Sequence, residues 1–156
     1  MKTINFTKYQ GIGNDFIIID SRTIDLYDLF SISDKEIVKR LCNRRYGIGA
    51  DGVILLMNSN NGADARMAIF NSDGSIAEMC GNGIRCLVNY IKEFTDLDLD
   101  NNCIIETLIG NLSAYISPTG NVKIDMGNPV FTPSKIPTRL QLNDKDIPSG
   151  NIDIDN

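Results

Sequence analysis

The sequence predicts an α+β roll, in which a mostly antiparallel or mixed sheet wraps around a central helix. Several short segments alternate polar and apolar residues between turn signals, which is typical of strands. One long segment, from Cys80 or Gly81 to Phe94, carries apolar residues at helical spacing on a single face. Many strands together with one well-formed apolar helix therefore favour a sheet that wraps this helix.

The amino-terminal elements are a hairpin and a short helix. Ile4–Tyr9 and Phe16–Asp20 are expected to be strands, joined by a glycine-rich turn at Gly11–Asp15. Ser33–Glu36 has the pattern of a capping box and precedes apolar residues at helical spacing. This pattern predicts a helix that ends near Asn43.

The remaining strands lie on either side of the long helix. Val53–Met57 and Ala65–Phe70 precede it and are separated by a polar turn. Three strands follow it and are expected to form a meander of antiparallel hairpins, with turns at Gly110-Asn111 and Ser117–Gly120. These strands lie near Cys103–Ile109, Leu112–Ser117 and Val122–Met126.

A change of composition at Gly127–Pro129 predicts a domain boundary. The segment beyond it is rich in proline, shows little sustained periodicity and holds too few apolar residues for a core of its own. We therefore expect residues 1–127 to form one lobe and residues 128–156 to be a linker or the truncated start of a second lobe.

Composition excludes several classes of function. The 156 residues carry a net charge of -5, which argues against nucleic-acid binding. No apolar run is long enough for a membrane span, and the first residues do not resemble a secretory signal, so the sequence predicts a cytoplasmic protein. Histidine and CxxC pairs are absent, which makes a zinc site improbable and leaves proton chemistry to Cys, Asp, Glu, Lys or Tyr.

The segment Asn71–Arg85 carries a pattern suited to acid/base chemistry. Cys80 stands where a turn-rich loop enters the long helix, so free amides and the helix dipole are expected to lower the pKa of its thiol. Gly81, Asn82 and Gly83 would let a carboxylate approach the first backbone N–H groups of the helix. From these residues alone an alternative stays open, in which the glycines only shape a turn and Cys80 is a buried apolar residue.

The other three cysteines are predicted to be core residues. Cys86 lies roughly 240° around the helix and about 9 Å along it from Cys80, so it cannot share the same site. Cys42, late in the first helix, and Cys103, at the start of a strand, do not lie in a glycine-rich loop before a helix. Buried free thiols are the expectation for all three.

Several spaced motifs resemble those of the diaminopimelate epimerase family. Tyr9–Phe16, Gly47–Gly52 and Asn71–Arg85 stand in the order found in that family, and Asp125–Gly127 is similar to its closing strand. The resemblance covers residues 1 to about 130. It implies two similar lobes with the active site between them, which agrees with a boundary near residue 127.

The resemblance also implies a function and a set of site residues. Such an enzyme is an isomerase that interconverts LL- and meso-2,6-diaminopimelate in lysine and peptidoglycan precursor synthesis, without pyridoxal phosphate, metal or nicotinamide. Cys80 would be one of two thiols that flank the α-carbon of the substrate. Gly81 and Asn82 would hold the α-carboxylate with their amides. Asn14 and Asn71 would position other polar groups, although turn-forming asparagine is an alternative for both.

The sequence departs from the family pattern in ways that limit what is expected of it. It stops where the second lobe should begin, so one lobe without the partner cysteine is predicted to be inactive alone. Gly52 stands where some members have Gln, so no side-chain contact is carried over to that position. The missing carboxy-terminal strand would leave a sheet edge unpaired, which could drive self-association as a homodimer.

Two other functions remain open from the sequence. One is a related racemase or isomerase that acts on another amino acid. Asn82 stands where proline racemases have His, and Cys80 stands where phenazine-pathway isomerases use a carboxylate, so both features argue against those two groups. The other is a non-catalytic lobe that binds a ligand or a partner.

Overall fold

The computed structural model describes residues 3–24, 26–27, 35–99 and 102–136. The chain divides into two compact units, Met1–Asp125 and Met126–Asn156. Within the described part of the second unit, Pro133–Lys135 forms a single 3-10 turn. The domain boundary expected after residue 127 stays a prediction, because residues 137–156 lie outside the described residues.

The described part of the first unit contains eight strands and two α-helices. Their bounds in chain order are β1 (Thr7–Gly11), β2 (Asn14–Asp20), α1 (Lys35–Cys42), β3 (Gly52–Met57), β4 (Ala65–Asn71), β5 (Ile76–Ala77), α2 (Gly81–Phe94), β6 (Asn102–Thr107), β7 (Gly110–Ile116) and β8 (Val122–Ile124). Neither helix is long and apolar enough to cross a membrane. The capping box expected to begin α1 falls partly on residues 33 and 34, which are outside the described residues.

The strands form one mixed sheet in the order β1-β2-β3-β4-β6-β7-β8, with β5 paired to β4. The pairs β2–β3 and β4–β6 are parallel, whereas the other pairs are antiparallel. Both β1 and β8, the two ends of this order, contact α2. The sheet therefore curls around α2, and the predicted α+β roll is confirmed.

The sheet buries apolar side chains on both faces. All six residues of β3 are buried, because successive side chains point to opposite faces and both faces are covered. Ile54 packs with Ile84 and Leu87 of α2 on the inner face. Leu55 packs with Val38 of α1 on the outer face. The two helices thus lie on opposite sides of β3.

The β1–β2 hairpin turn is tighter than predicted. Gly11 pairs with Asn14, so only Ile12 and Gly13 form the turn, and Asn14 belongs to β2. Both turn residues have positive φ, 56° and 80°, as a turn matched to the twist of a hairpin requires. The expectation of a turn over Gly11–Asp15 was therefore wrong, because the strands stay paired up to the two turn residues.

The β6–β7 turn was also misplaced. Thr107 pairs with Gly110, so the turn consists of Leu108 and Ile109 rather than the predicted Gly110-Asn111. The Thr107 hydroxyl donates to the Gly110 carbonyl at 2.8 Å, and Gly110 begins β7 with a φ of 115°. The predicted antiparallel meander of β6, β7 and β8 is confirmed.

Candidate active site

Cys80 is the N-cap residue of α2. Its backbone is extended, with φ -151° and ψ 115°, and its Sγ accepts a hydrogen bond from the Gly83 N–H at 3.4 Å. The side chain is only partly buried. The sulfur therefore lies against a donor at the positive end of the helix dipole, where negative charge is stabilised, while it stays open to a ligand.

The residues after Cys80 form the first turn of α2. Gly81 and Asn82 are partly exposed, and the N–H groups of the first helical turn have no partner within the helix. The Asn82 side chain is engaged separately, since its Oδ1 accepts from Arg85 at 2.7 Å. Gly83 is buried, and a Cβ there would lie 3.1 Å from the Ile54 side chain. A larger residue at this position would require the end of the Ile54 side chain to shift by a few tenths of an ångström, so glycine favours the close packing of α2 on β3.

Asn14 is brought beside Cys80 by the β1–β2 hairpin. Its Oδ1 lies 3.9 Å from Cys80 Sγ, and its Nδ2 donates to Asp51 Oδ2 at 2.8 Å. Since Asn14 is the first residue of β2, its position depends on the tight turn that precedes it. The structure therefore places two of the site residues expected from the sequence in contact.

Asn71 lies at the end of β4, opposite Gly52 of β3. Its exposed side chain donates to the Ser75 hydroxyl at 2.9 Å, and its backbone N–H donates to the Ser75 carbonyl. Among the described residues, no hydrogen bond joins Asn71 to Cys80 or Asn14. Its role in substrate binding stays a prediction.

A group of charged residues next to Asn14 was not singled out from the sequence. Arg44 forms two hydrogen bonds with the Asp15 carboxylate, at 2.6 and 3.0 Å, and one with Asp51 at 2.8 Å. Lys8 forms a further ion pair with Asp15 at 3.0 Å. The hydrogen bonds from the Arg44 guanidinium are the main reason why the pKa of Asp15 lies well below its usual value. Both aspartates occur in the glycine-containing motifs quoted above, which were the available sequence signal.

The other three thiols are buried as predicted. Burial raises the pKa values of Cys42, Cys86 and Cys103 to about 11 each. Cys86 packs against β1: a Cβ built on Gly11 of that strand would lie 3.3 Å from the Cys86 sulfur. Within the described ranges, no group of three or more acidic, cysteine or histidine side chains is arranged to hold a metal ion.

The fold is similar to the folds of solved proteins named as a phenazine biosynthesis protein and as a probable proline racemase. A phenazine biosynthesis protein from Bacillus anthracis matches with a TM-score of 0.59 and 23% identity, over 80% of this chain and 40% of that one. A probable proline racemase from Agrobacterium radiobacter K84 matches with a TM-score of 0.58 and 17% identity, over 78% and 41%. More specifically, residues 6–132 match the family described as diaminopimelate epimerase. The chain belongs to this family.

Relatives in that family are closely similar in sequence. The diaminopimelate epimerase of Prochlorococcus marinus strain NATL2A is 48% identical over 146 residues, which cover 94% of this chain and 51% of the relative. The chloroplastic diaminopimelate epimerase of Oryza sativa subsp. japonica is 45% identical over 139 residues, or 89% of this chain and 38% of the relative. The chain thus spans about half the length of the Prochlorococcus marinus relative and 38% of the length of the Oryza sativa relative.

Proposed function

We propose that this chain is the Cys80-bearing lobe of an enzyme that interconverts LL- and meso-2,6-diaminopimelate. The observation that carries the proposal is the position of Cys80, a partly exposed thiol at the start of α2 with its sulfur 3.4 Å from the Gly83 amide nitrogen. The substrate is taken from the family to which the chain belongs. Lysine and peptidoglycan precursor synthesis and a cytoplasmic location belong to the same proposal.

The proposed reaction is a proton transfer at the α-carbon. The Cys80 thiolate takes the α-proton, so that the Cα–H bond breaks, an S–H bond forms and the electron pair is delocalised toward the α-carboxylate. A second thiol gives its proton to the opposite face of the α-carbon, which inverts the centre and balances the protons. The amides of Gly81 and Asn82 stabilise the charge that develops on the carboxylate. This chemistry uses no pyridoxal phosphate, metal or nicotinamide.

The two asparagines have different parts in the proposal. Asn14 is held close to the thiol and would orient the reacting end of the substrate. Asn71 would contact a more distant polar group, and its side chain must then exchange its bond to Ser75 for one to the substrate. An exposed side-chain hydrogen bond of this kind contributes only about 1 kcal/mol, so the exchange costs little.

The second thiol is expected from a part of the enzyme other than residues 1–156. Cys86, the nearest thiol along α2, is buried and its pKa is raised to about 11, so it is unsuited to exchange a proton with a substrate. The 156-residue chain alone should therefore not epimerise diaminopimelate at a useful rate. A homodimer that supplied a complementing thiol is the outcome that would contradict this expectation.

The test compares the chain alone with the chain joined to the carboxy-terminal half of the Prochlorococcus marinus relative. Each protein is incubated with LL-diaminopimelate in D₂O, and α-deuteration and the stereoisomer ratio are followed. The joined protein should exchange the α-proton and form the meso isomer, whereas the chain alone should do neither. Cys80→Ser in the joined protein is the matched control, because serine retains the helix cap but is a far weaker base.

Three results would contradict the proposal in different ways. Turnover by the chain alone would show that the second acid/base group lies within it or in a second copy of it. A folded joined protein that binds diaminopimelate without exchanging its α-proton would favour a non-catalytic binding lobe. Exchange with L-proline, but not with diaminopimelate, would favour a related racemase.

A further inference from the structure

Asp51 connects the segments that surround Cys80. Its Oδ2 accepts from Asn14 Nδ2 at 2.8 Å and from the Asp15 N–H at 3.0 Å, while its Oδ1 accepts from Arg44 at 2.8 Å. Its own N–H donates to the Asp15 carbonyl at 2.9 Å, and its carbonyl accepts from the Ser72 N–H at 3.0 Å. One residue just before β3 thus joins the start of β2, the loop after α1 and the loop after β4.

The carboxylate of Asp51 decides how the Asn14 amide is turned. The hydrogen bond from Asn14 and those from Asp15 and Arg44 hold the pKa of Asp51 below its usual value, so the carboxylate is ionised near neutral pH. An ionised carboxylate only accepts hydrogen bonds, so Asn14 must present its NH₂ group to Asp51. The Asn14 oxygen is thereby turned toward Cys80 Sγ, 3.9 Å away.

Cys80 consequently lies between one donor and one acceptor. The Gly83 N–H donates to the sulfur and favours the thiolate, whereas the Asn14 oxygen can accept the thiol proton and favours the protonated form. A residue that alternately removes and returns a proton needs both forms to be accessible at the working pH. If the amide were reversed, two donors would face the sulfur and the thiolate would be favoured over the thiol.

We propose that Asp51 is a positioning residue for Cys80, which acts by holding the Asn14 amide oxygen toward the thiol. The significance of this arrangement rests on the proposed function, in which Cys80 exchanges a proton with the substrate. Asp51 itself does not contact the sulfur, and its effect passes through Asn14. Without Asp51 the Asn14 amide is free to turn its NH₂ group to Cys80, which makes the thiol more acidic and faster to alkylate.

Charge is the competing explanation for any effect of Asp51. Asp51 and Asp15 carry negative charge on one side of the site, and Arg44 and Lys8 balance it. On the α2 side, Cys86 interacts electrostatically with Cys80 and with the Arg85 guanidinium, and Glu78 precedes the helix in the sequence. Removing any carboxylate here would by itself make Cys80 more acidic. The test must therefore separate charge from amide orientation.

Two variants of Asp51 make this separation. Asp51→Asn loses the charge but keeps an oxygen for the two donors, Asn14 Nδ2 and the Asp15 N–H, while the exposed Arg44 side chain can move aside. Asp51→Ala loses both the charge and the acceptor. The difference between the two variants therefore measures the effect of releasing the Asn14 amide.

The measurement is the pH profile of Cys80 alkylation by iodoacetamide in the 156-residue chain. Near pH 7, D51A should alkylate about three- to tenfold faster than D51N, as expected for a change of one hydrogen bond to the sulfur, and its profile should lie at lower pH. The same pair is then compared in an Asn14→Ala background. There the two rates should agree within about twofold, because no amide remains to be oriented.

Equal rates for D51A and D51N would overturn the proposal, as would a difference that persists in the Asn14→Ala background. If D51A does not fold, Asp51→Ser replaces it, since its uncharged hydroxyl ends one bond short of the Asp51 Oδ2 that accepts from Asn14. The alkylation profile is read without substrate. Failure of the joined protein to epimerise diaminopimelate would therefore refute the proposed function and leave the alkylation result unchanged. If the difference between D51A and D51N did not depend on Asn14, only the role of Asp51 would be refuted.

Discussion

Brief alkylation of the folded chain at about pH 7.5 should label Cys80 before the other three thiols. Burial raises the pKa values of Cys42, Cys86 and Cys103 from the ordinary 9.0 to about 11. At this pH the thiolate fraction is about 3% for a thiol with the ordinary pKa and about 0.03% for one with a pKa near 11. The raised pKa alone thus slows the three buried thiols about 100-fold, and their exposed fractions of 4%, 2% and 1% hinder the reagent further.

Peptide mass spectrometry can follow each thiol separately. Cleavage after Lys and Arg places the four cysteines on four different peptides, with Arg85 separating Cys80 from Cys86. The chain unfolded in guanidinium is the control, since all four thiols should then react at rates within about threefold of one another. Labelling of Cys42 or Cys103 in the folded chain as fast as Cys80 would refute the assignment of Cys80 as the accessible thiol.

Three further predictions follow from the packing, the helix cap and the ion pairs. Gly52→Ala should lower the free energy of unfolding by about 2 kcal/mol in denaturant titrations, because its Cβ would lie 2.5 Å from a carbonyl oxygen of β4. Gly11→Ala should cost clearly less, because its nearest neighbour would be the Cys86 sulfur at 3.3 Å and the nearest backbone atom lies at 3.6 Å; equal losses would contradict the steric argument. Cys80→Ala should lose about 1 kcal/mol of stability through the missing cap, whereas Cys80→Ser should retain it, as thermal unfolding can measure. Arg44 lowers the pKa of Asp15 in the folded chain, so the ionised Asp15 stabilises the fold above the unfolded-state pKa of about 3.9. This stabilisation is lost as the pH falls below that value toward the lower pKa of the folded state. Asp15→Asn should therefore flatten the acid loss of stability, and an unchanged acid transition would count against this ion pair.

The helix α2 and the cysteine at its start could be predicted from the sequence because their signals are local. Apolar residues repeat at helical spacing over the whole segment, and the predicted buried face is the observed one. The glycine-rich motif after Cys80 needs no distant contact to be recognised. The roll followed from the count of strands around this helix, since each strand has its own short-range pattern.

Turn positions could not be predicted to the residue. Glycine was expected inside the turns, but Gly11 and Gly110 are paired strand residues that flank two-residue turns. The strand register is decided by the apolar side chains that must point to the core. Strand pairing then continues as far toward the turn as this register allows. This shift matters for the site, because it places Asn14 in β2 beside Cys80 rather than in a loop.

The surroundings of Cys80 depend on contacts between residues far apart in the chain. Asn14 bonds to Asp51 across 37 positions and approaches Cys80 across 66. The spacing of residues along a sequence specifies helices, caps and motifs, because these depend on neighbours within a few residues. The contact of Asp51 with the Asn14 amide, and that of Arg44 with Asp51, depend instead on how β2, β3 and α2 pack, so these contacts are visible only in the folded structure.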